Sequence, residues 1–433
     1  MDQTTRQQGR RRRLIVGALA VVLLLAAGAF ALAWRPAIGV QAAPPRFDTA
    51  TVMRGARLAN LGNCAGCHTA DPARPHAGGL ALATPFGTVY STNITPDART
   101  GIGGWSGQAF ARALREGVAR DGSLLYPAFP YDHYTRLKDE DVHALYAYFM
   151  TRTPLEAPAR ENDLRFPFSL RPLLAFWNLL YLDRAPWRPD PGQSPEWNRG
   201  AYLADALAHC SACHSPRTLL GGEDRRRFLD GGEAEGWYAP ALNDKSPSPL
   251  PWTRTQLAAY LRSGIAEDHA AAGGPMQGVV QSLAQADPAE VEALASWLHA
   301  SLARAPANAA PAARAGSLPP PAADAPPRLR AGYDLYAGAC ARCHDAGRAP
   351  GSGAALPLQK AIALYDPDPR SLVRIVRDGI HPPDGEPGRW MPGFAGVLDA
   401  EQTIALAAYL RQVGAGQPAW EDLEDNVRKA EQP

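Results

Sequence analysis

The chain has 433 residues, a formal net charge of +1 and 46% hydrophobic residues, which suggests about three domains and enough apolar material to bury cores. Such a balanced charge gives no footing for nucleic acid or another strongly charged partner. The 6 cysteines fall in three pairs, so none is left over for a disulfide.

Arg10, Arg11, Arg12 and Arg13 precede an uncharged apolar run. At about 1.5 Å rise per residue, residues 14–34 would form a helix of roughly 32 Å, close to the hydrocarbon thickness of about 30 Å. The expected arrangement is a cytoplasmic basic segment at 1–13 and a transmembrane anchor at 14–34, with everything beyond it exported. The expected location is thus the bacterial cytoplasmic membrane, with a single-pass anchor and the remaining domains facing the periplasm. A signal peptide cut near Gln41-Ala42-Ala43 is the alternative, but cleaved signals usually carry an apolar region of only about 7 to 15 residues.

Beyond residue 47 the chain repeats itself three times, and a repeat governs architecture before any local feature does. Each unit opens with a helical stretch holding a glycine, namely Arg54-Gly55-Ala56-Arg57-Leu58, Arg199-Gly200-Ala201-Tyr202-Leu203 and Arg330-Ala331-Gly332-Tyr333. Glycine in a helix costs about 1 kcal/mol relative to alanine, so its recurrence points to close helix crossing.

Next come Cys64-Ala65-Gly66-Cys67-His68, Cys210-Ser211-Ala212-Cys213-His214 and Cys340-Ala341-Arg342-Cys343-His344. Two thiols three positions apart can each form a thioether to one haem, and the adjoining imidazole then lies under the iron. A structural zinc would need two such pairs converging on one metal, and a dithiol redox motif would not need the histidine three times. The expectation is three covalently bound c-type haems, with His68, His214 and His344 as proximal ligands.

A second helix in each unit ends in Arg-x-Gly, at Gly117, Gly264 and Gly379, where glycine stops the helix. Met276 follows Gly264 by twelve residues and Met391 follows Gly379 by twelve, each beside a proline. They are the expected second axial ligands of haems two and three, since a thioether on that face raises the potential. The same register in the first unit reaches Phe129, which cannot ligate. His133, four residues on in the same loop, is the candidate there. Bis-histidine ligation by His68 and His133 would give haem one the lowest potential of the three.

A last helix closes each unit, with apolar positions at helical spacing around Leu145, Leu294 and Leu406; Asp287, Pro288 and Glu290 read as a capping box. The expected domains are therefore 48–152, 197–302 and 329–420. An apolar connector at 153–196 joins the first two, and an Ala/Pro linker at 303–328 joins the last two. The connector is too apolar for a free linker. Either it packs the first two domains together or it offers a membrane-surface or partner-docking face.

Four further stretches carry a resemblance: ATPFGTVYSTNITPDARTGIGGWS at 83–106, LYPAFPY at 125–131, WNRGAYL at 197–203 and GWYAPAL at 236–242. With the haem motifs, they make the chain resemble the triheme cytochrome c subunits of bacterial membrane-bound dehydrogenases, those serving alcohol, gluconate and nicotinate dehydrogenases. The resemblance implies an all-α fold of three tandem class I-type cytochrome c domains. It also implies a role passing electrons from a catalytic dehydrogenase subunit toward quinone or a terminal oxidase. Phe129 departs from the methionine of the alcohol-oxidising relatives and resembles subunits that accompany molybdenum hydroxylases and aldehyde dehydrogenases. An iron–sulfur subunit would then join the partner. No phosphate-cradling loop, nucleophile elbow or paired-histidine metal helix is present, so no catalytic residue is expected. The reading of another class is a haem enzyme or sensor that uses an open haem one.

Overall fold

The computed structural model describes residues 34–43, 45–266, 268–303, 317–345, 355–381 and 390–431, together with Val16 and Gly28. The first helix of unit one, Thr49–Leu61, starts where the Asp48 carboxylate accepts from the Thr51 amide at 2.8 Å. In unit two the helix Pro195–Tyr202 starts on Ser194, and Pro195 occupies a first-turn position where its missing N–H costs nothing. It runs on through a wider turn, Leu203–Leu207, toward the second cysteine motif. In unit three Pro327–Leu335 continues likewise into Tyr336–Cys340.

Each first helix crosses the last helix of its unit, Asp139–Met150, Pro288–Leu302 or Ala400–Tyr409. The crossing point is the repeated glycine. A Cβ there would lie 1.9 Å from the Ala144 carbonyl oxygen at Gly55, 2.0 Å from that of Ala293 at Gly200 and 2.1 Å from that of Ala405 at Gly332. No side chain fits. Charged pairs pin the first two crossings: Arg54 bonds Asp141 at 2.6 Å, and Arg199 forks onto Glu290 at 2.7 and 2.6 Å. Glu290 is thereby drawn away from the capping box expected at Asp287. The full capping boxes are instead Thr253 with Gln256 and Asp399 with Gln402.

The second helices are Gly107–Glu116, Arg254–Ser263 and Arg370–Asp378. Their stop glycines take φ of +63° at Gly117, +70° at Gly264 and +78° at Gly379, a region that favours glycine.

The expectation of an all-α fold is corrected by three small antiparallel sheets. Ala81–Thr84 pairs with Gly87–Tyr90, which pairs with Asp163–Leu164; Gly232–Ala234 pairs with Trp237–Ala239, and Ile265–Ala266 with Ala270–Ala271. Gly87 at φ +127° and Gly236 at φ +77° help turn the chain in the first two hairpins.

Among the described residues no helix is long and apolar enough to cross a membrane. Spanning takes about 20 apolar residues in one helix, and the longest described helix, Pro288–Leu302, has 15. The expected transmembrane helix at 14–34 and, with it, the expected location by a single-pass anchor in the bacterial cytoplasmic membrane are corrected to this extent: no helix among the described residues supplies such a span. Of residues 1–34, only Val16, Gly28 and Trp34 are described; most of the 303–328 linker, residues 304–316, also lies outside the described residues.

Units one and two share one continuous core, in which Leu58, Leu145 and Phe149 meet Leu203, Leu207 and Leu298. Unit three has its own, built on Leu329, Tyr336, Leu364, Ile404 and Tyr409. It extends past its expected end at residue 420, because the helix Leu423–Glu431 buries Leu423, Val427 and Ala430 in that core.

The connector packs against both of the first two units. In its helix Leu174–Tyr181, Leu174, Ala175 and Trp177 are buried, Asn178 accepts from the Tyr131 hydroxyl at 2.7 Å, and Trp177 donates to the Leu220 carbonyl at 3.1 Å. Phe176, Leu179 and Leu180 on the other face stay exposed.

The glycine crossings yield a paired prediction. Gly200→Ala should lower stability by about 1 to 3 kcal/mol through overpacking. Gly278→Ala, in the helix Pro275–Ala284 where nothing lies within 4 Å, should raise it by up to about 1 kcal/mol. Thermal unfolding of both variants checks the opposite signs.

Candidate functional site

Cys64–His68 is a helical turn entered from Asn63 at φ +48°, and His209 takes φ +41° just before Cys210. Such left-handed residues redirect the chain so that both thiols and the imidazole of a motif leave one short turn. Cys64, Cys67, Cys210, Cys213 and Cys340 are free thiols. Burial pushes the thiols up, to about 12 for Cys64 and Cys210 and about 11 for Cys67 and Cys340, and raises that of Cys213.

The three motif histidines share one arrangement that no side-chain pattern announced. Nδ1 of His68 lies 2.7 Å from the Thr92 carbonyl, that of His214 lies 2.7 Å from the Pro240 carbonyl, and that of His344 lies 3.1 Å from the Leu356 carbonyl. A carbonyl only accepts, so Nδ1 carries the proton and Nε2 keeps its lone pair. Burial lowers all three pKa values, which favours the neutral ring. An imidazole held this way is oriented and electronically prepared to ligate a metal through Nε2. Thr92 and Pro240 lie inside two of the stretches that carried the resemblance, but their contribution is a backbone oxygen, which leaves no mark on residue type.

Met276 is half-buried in the first turn of Pro275–Ala284 and packs on the shared core. Met391 is half-buried and its backbone pairs with Ile380 in both directions, at 3.0 and 2.9 Å. Phe129 packs against Tyr134, with ring centroids 5.4 Å apart. His143 is exposed, and His76 is buried edge-on to Phe149 with its Nδ1 unpartnered.

His133 departs from its expected place. Its Nδ1 lies 2.7 Å from the Asp205 carbonyl and its Nε2 lies 2.7 Å from Glu223 Oε1, both in unit two. With both ring nitrogens engaged in these bonds, His133 faces unit two, whereas the bis-histidine expectation has it face an iron of unit one. Asp132 stands beside the pair, at the edge of a cavity of about 380 Å³ that also borders Arg136, Trp187 and Trp297.

Comparison with known proteins bears on the whole chain. The family model for cytochrome c matches residues 52–153, and that for cytochrome c oxidase, cbb3-type, subunit III matches residues 327–410. The alcohol dehydrogenase (quinone) cytochrome c subunit of Gluconacetobacter polyoxogenes is 35% identical over 401 residues, covering 85% of this chain and 81% of that protein. The chain belongs to the cytochrome c subunits of dehydrogenases. The gluconate 2-dehydrogenase cytochrome c subunit of Pantoea cypripedii, 36% identical, is covered over 87% of its length. One of the nicotinate dehydrogenase subunits of Pseudomonas putida is 45% identical over 94% of this chain, yet the chain spans only about a third, 34%, of that relative.

As a member of this family the chain is an electron-transfer cytochrome with covalently bound c-type haem. The residues present fit that group. Cysteines stand in pairs one helical turn apart, and each pair adjoins an imidazole whose outward nitrogen is unprotonated.

The His133–Glu223 pair generates a pH prediction. Desolvation lowers the His133 pKa, but the bond to Glu223 and the nearby Asp132 outweigh it and raise the pKa overall. That contribution is complete below about 6.5 and is lost as pH rises through the raised value. For Glu223, desolvation raises the pKa, but the bond and charge of His133 win and lower it. That contribution is complete above about 4.3 and is lost as pH falls through the lowered value. The Tm difference between wild type and Glu223→Gln should therefore be largest between about pH 4.3 and 6.5 and shrink on either side.

Proposed function

We infer that the protein is a triheme cytochrome that relays electrons from the catalytic subunit of a dehydrogenase to quinone or a terminal oxidase. The observation that carries this reading is a geometry repeated three times: a thiol pair one helical turn apart, an adjoining imidazole tied through Nδ1 to a backbone carbonyl, and a glycine-stopped helix in the same unit. When bound, c-type haem supplies a one-electron iron couple whose potential follows its axial ligands. On this reading Cys64 with Cys67, Cys210 with Cys213 and Cys340 with Cys343 hold one haem each. His68, His214 and His344 are the proximal ligands, and Met276 and Met391 take the opposite face in units two and three.

The partner we favour is of the molybdenum hydroxylase or aldehyde dehydrogenase type, accompanied by an iron–sulfur subunit. Phe129 in place of methionine supports it, as does the 45% identity to a protein named for nicotinate dehydrogenation. A second reading has its own support. The relatives named for alcohol and gluconate match over 81% and 87% of their lengths, which favours a quinoprotein alcohol or flavoprotein sugar-acid dehydrogenase as partner.

A pyridine haemochrome assay should return three haems per chain. The purified chain, given an artificial electron acceptor, should not oxidise an alcohol, aldehyde or nicotinate without a partner subunit. Turnover by the isolated chain would move the assignment to a haem enzyme, and a count of two haems would remove one of the three sites.

A further inference from the structure

His133 lies in the short turn Tyr131–Tyr134 of unit one, yet both of its ring nitrogens are spent on unit two. Asp205, whose carbonyl faces Nδ1, sits in the Leu203–Leu207 turn that delivers the chain to Cys210. Glu223, whose carboxylate faces Nε2, also accepts from the Ser211 hydroxyl at 3.1 and 3.3 Å. Ser211 is inside the second cysteine motif, between Cys210 and Cys213. A continuous hydrogen-bonded path thus runs from a side chain of unit one into the attachment turn of unit two.

The path also fixes charge. A carbonyl and a carboxylate both accept, so both His133 nitrogens must donate, and an imidazole with two N–H groups is a cation. Its side chain is only 5% exposed and that of Glu223 only 11%, so the pair is poorly screened by water. The charged groups around it are Asp132 and Arg136 on its own segment, Asp205 ahead of the motif, and Glu223, Arg217 and Arg225 after it; His209, also ahead of the motif, is kept neutral by burial, which pushes its pKa down to about 4. Asp205 is already matched by Arg136. Removing His133 would therefore strip the hydrogen-bonded cation from Glu223 beside the second motif, leaving Arg217 as a more distant one, and the resulting gain of negative charge favours the ferric state of a nearby iron.

We propose that His133 is a positioning residue for the second haem, holding its attachment turn through Glu223 and Ser211 and raising its reduction potential by neutralising Glu223. The proposal rests on the haem reading of the three motifs.

The test is spectropotentiometry of the full haem-loaded chain in three forms: wild type, His133→Ala, and His133→Ala with Glu223→Gln. In His133→Ala one midpoint should fall so that its ferric-to-ferrous ratio at a given potential rises about tenfold, about 59 mV for a one-electron couple. The haem concerned should keep its sulfur-to-iron charge-transfer band, which separates it from the first haem. The double variant should bring that midpoint back toward wild type, because it removes the unpaired anion; packing damage alone would not be repaired.

Three haems with no midpoint moved, or equal falls in both variants, would overturn the proposal and leave the haem reading standing. The same holds if His133→Ala changes the spin state or carbon monoxide reactivity of the haem without the sulfur band, since His133 would then be its ligand. A haemochrome assay combined with peptide mapping that finds no haem on Cys210 and Cys213 overturns the haem reading of the second motif, and this proposal with it.

Discussion

Three backbone-to-backbone contacts carry the rest of the molecule. At Gly55, Gly200 and Gly332 the first helix of each unit comes so near a carbonyl of the last helix that a methyl group would overlap it, at 1.9 to 2.1 Å. Because the cysteine motif follows directly on the first helix, this crossing decides where the thiols and imidazole stand relative to the loop that returns from the second helix. A larger residue would push the helices apart and the two halves of each site with them. Ion pairs reinforce the crossing in units one and two, where Arg54 and Arg199 reach acids at the start of the last helix.

The units are not equivalent beads. Asp141, at the crossing of unit one, also accepts from the Tyr202 hydroxyl of unit two at 2.5 Å, and Ser282 of unit two donates to Asn63 at the edge of the first motif at 2.7 Å. With a common apolar core, these bonds make units one and two a single body. Unit three meets unit two mainly through polar groups: Ser371 donates to the Tyr238 carbonyl at 2.7 Å, Arg374 to that of Gly236 at 2.9 Å, and the Ile362 amide to the His269 carbonyl at 2.9 Å. Polar docking of this kind fixes orientation but buries less apolar surface than a shared core, so the junction between units two and three is the softer one.

Much of this was legible in the chain alone. The spacing of cysteine and histidine, the glycine in each first helix and the glycine after each second helix are one-dimensional patterns, because they depend on neighbours along the chain. Two of the small hairpins overlap stretches that read more strongly as family motifs than as strands, and the strands Ile265–Ala266 and Ala270–Ala271 are too short to show an alternating pattern. The helix after residue 420 was missed because its apolar stripe, Leu423, Val427 and Ala430, is short and gains its meaning only against the third core. The spanning helix inferred from residues 14–34 illustrates another limit. Hydropathy measures how apolar a run is, and it does not by itself establish a continuous spanning helix.

By itself the sequence determined the number of units, the order of helices in each, the chemistry of the attachment turns and the family. All of these follow from covalent spacing and local backbone preference. Tertiary structure alone decided the tautomer of the three motif histidines, since their acceptors are carbonyls 24, 26 and 12 residues away along the chain. It alone decided the partner of His133, which lies 90 residues off at Glu223. A residue's place in a loop says which groups it carries. Which groups it meets depends on how two units pack, and that is settled by the summed fit of a whole interface, which no single position in the chain encodes.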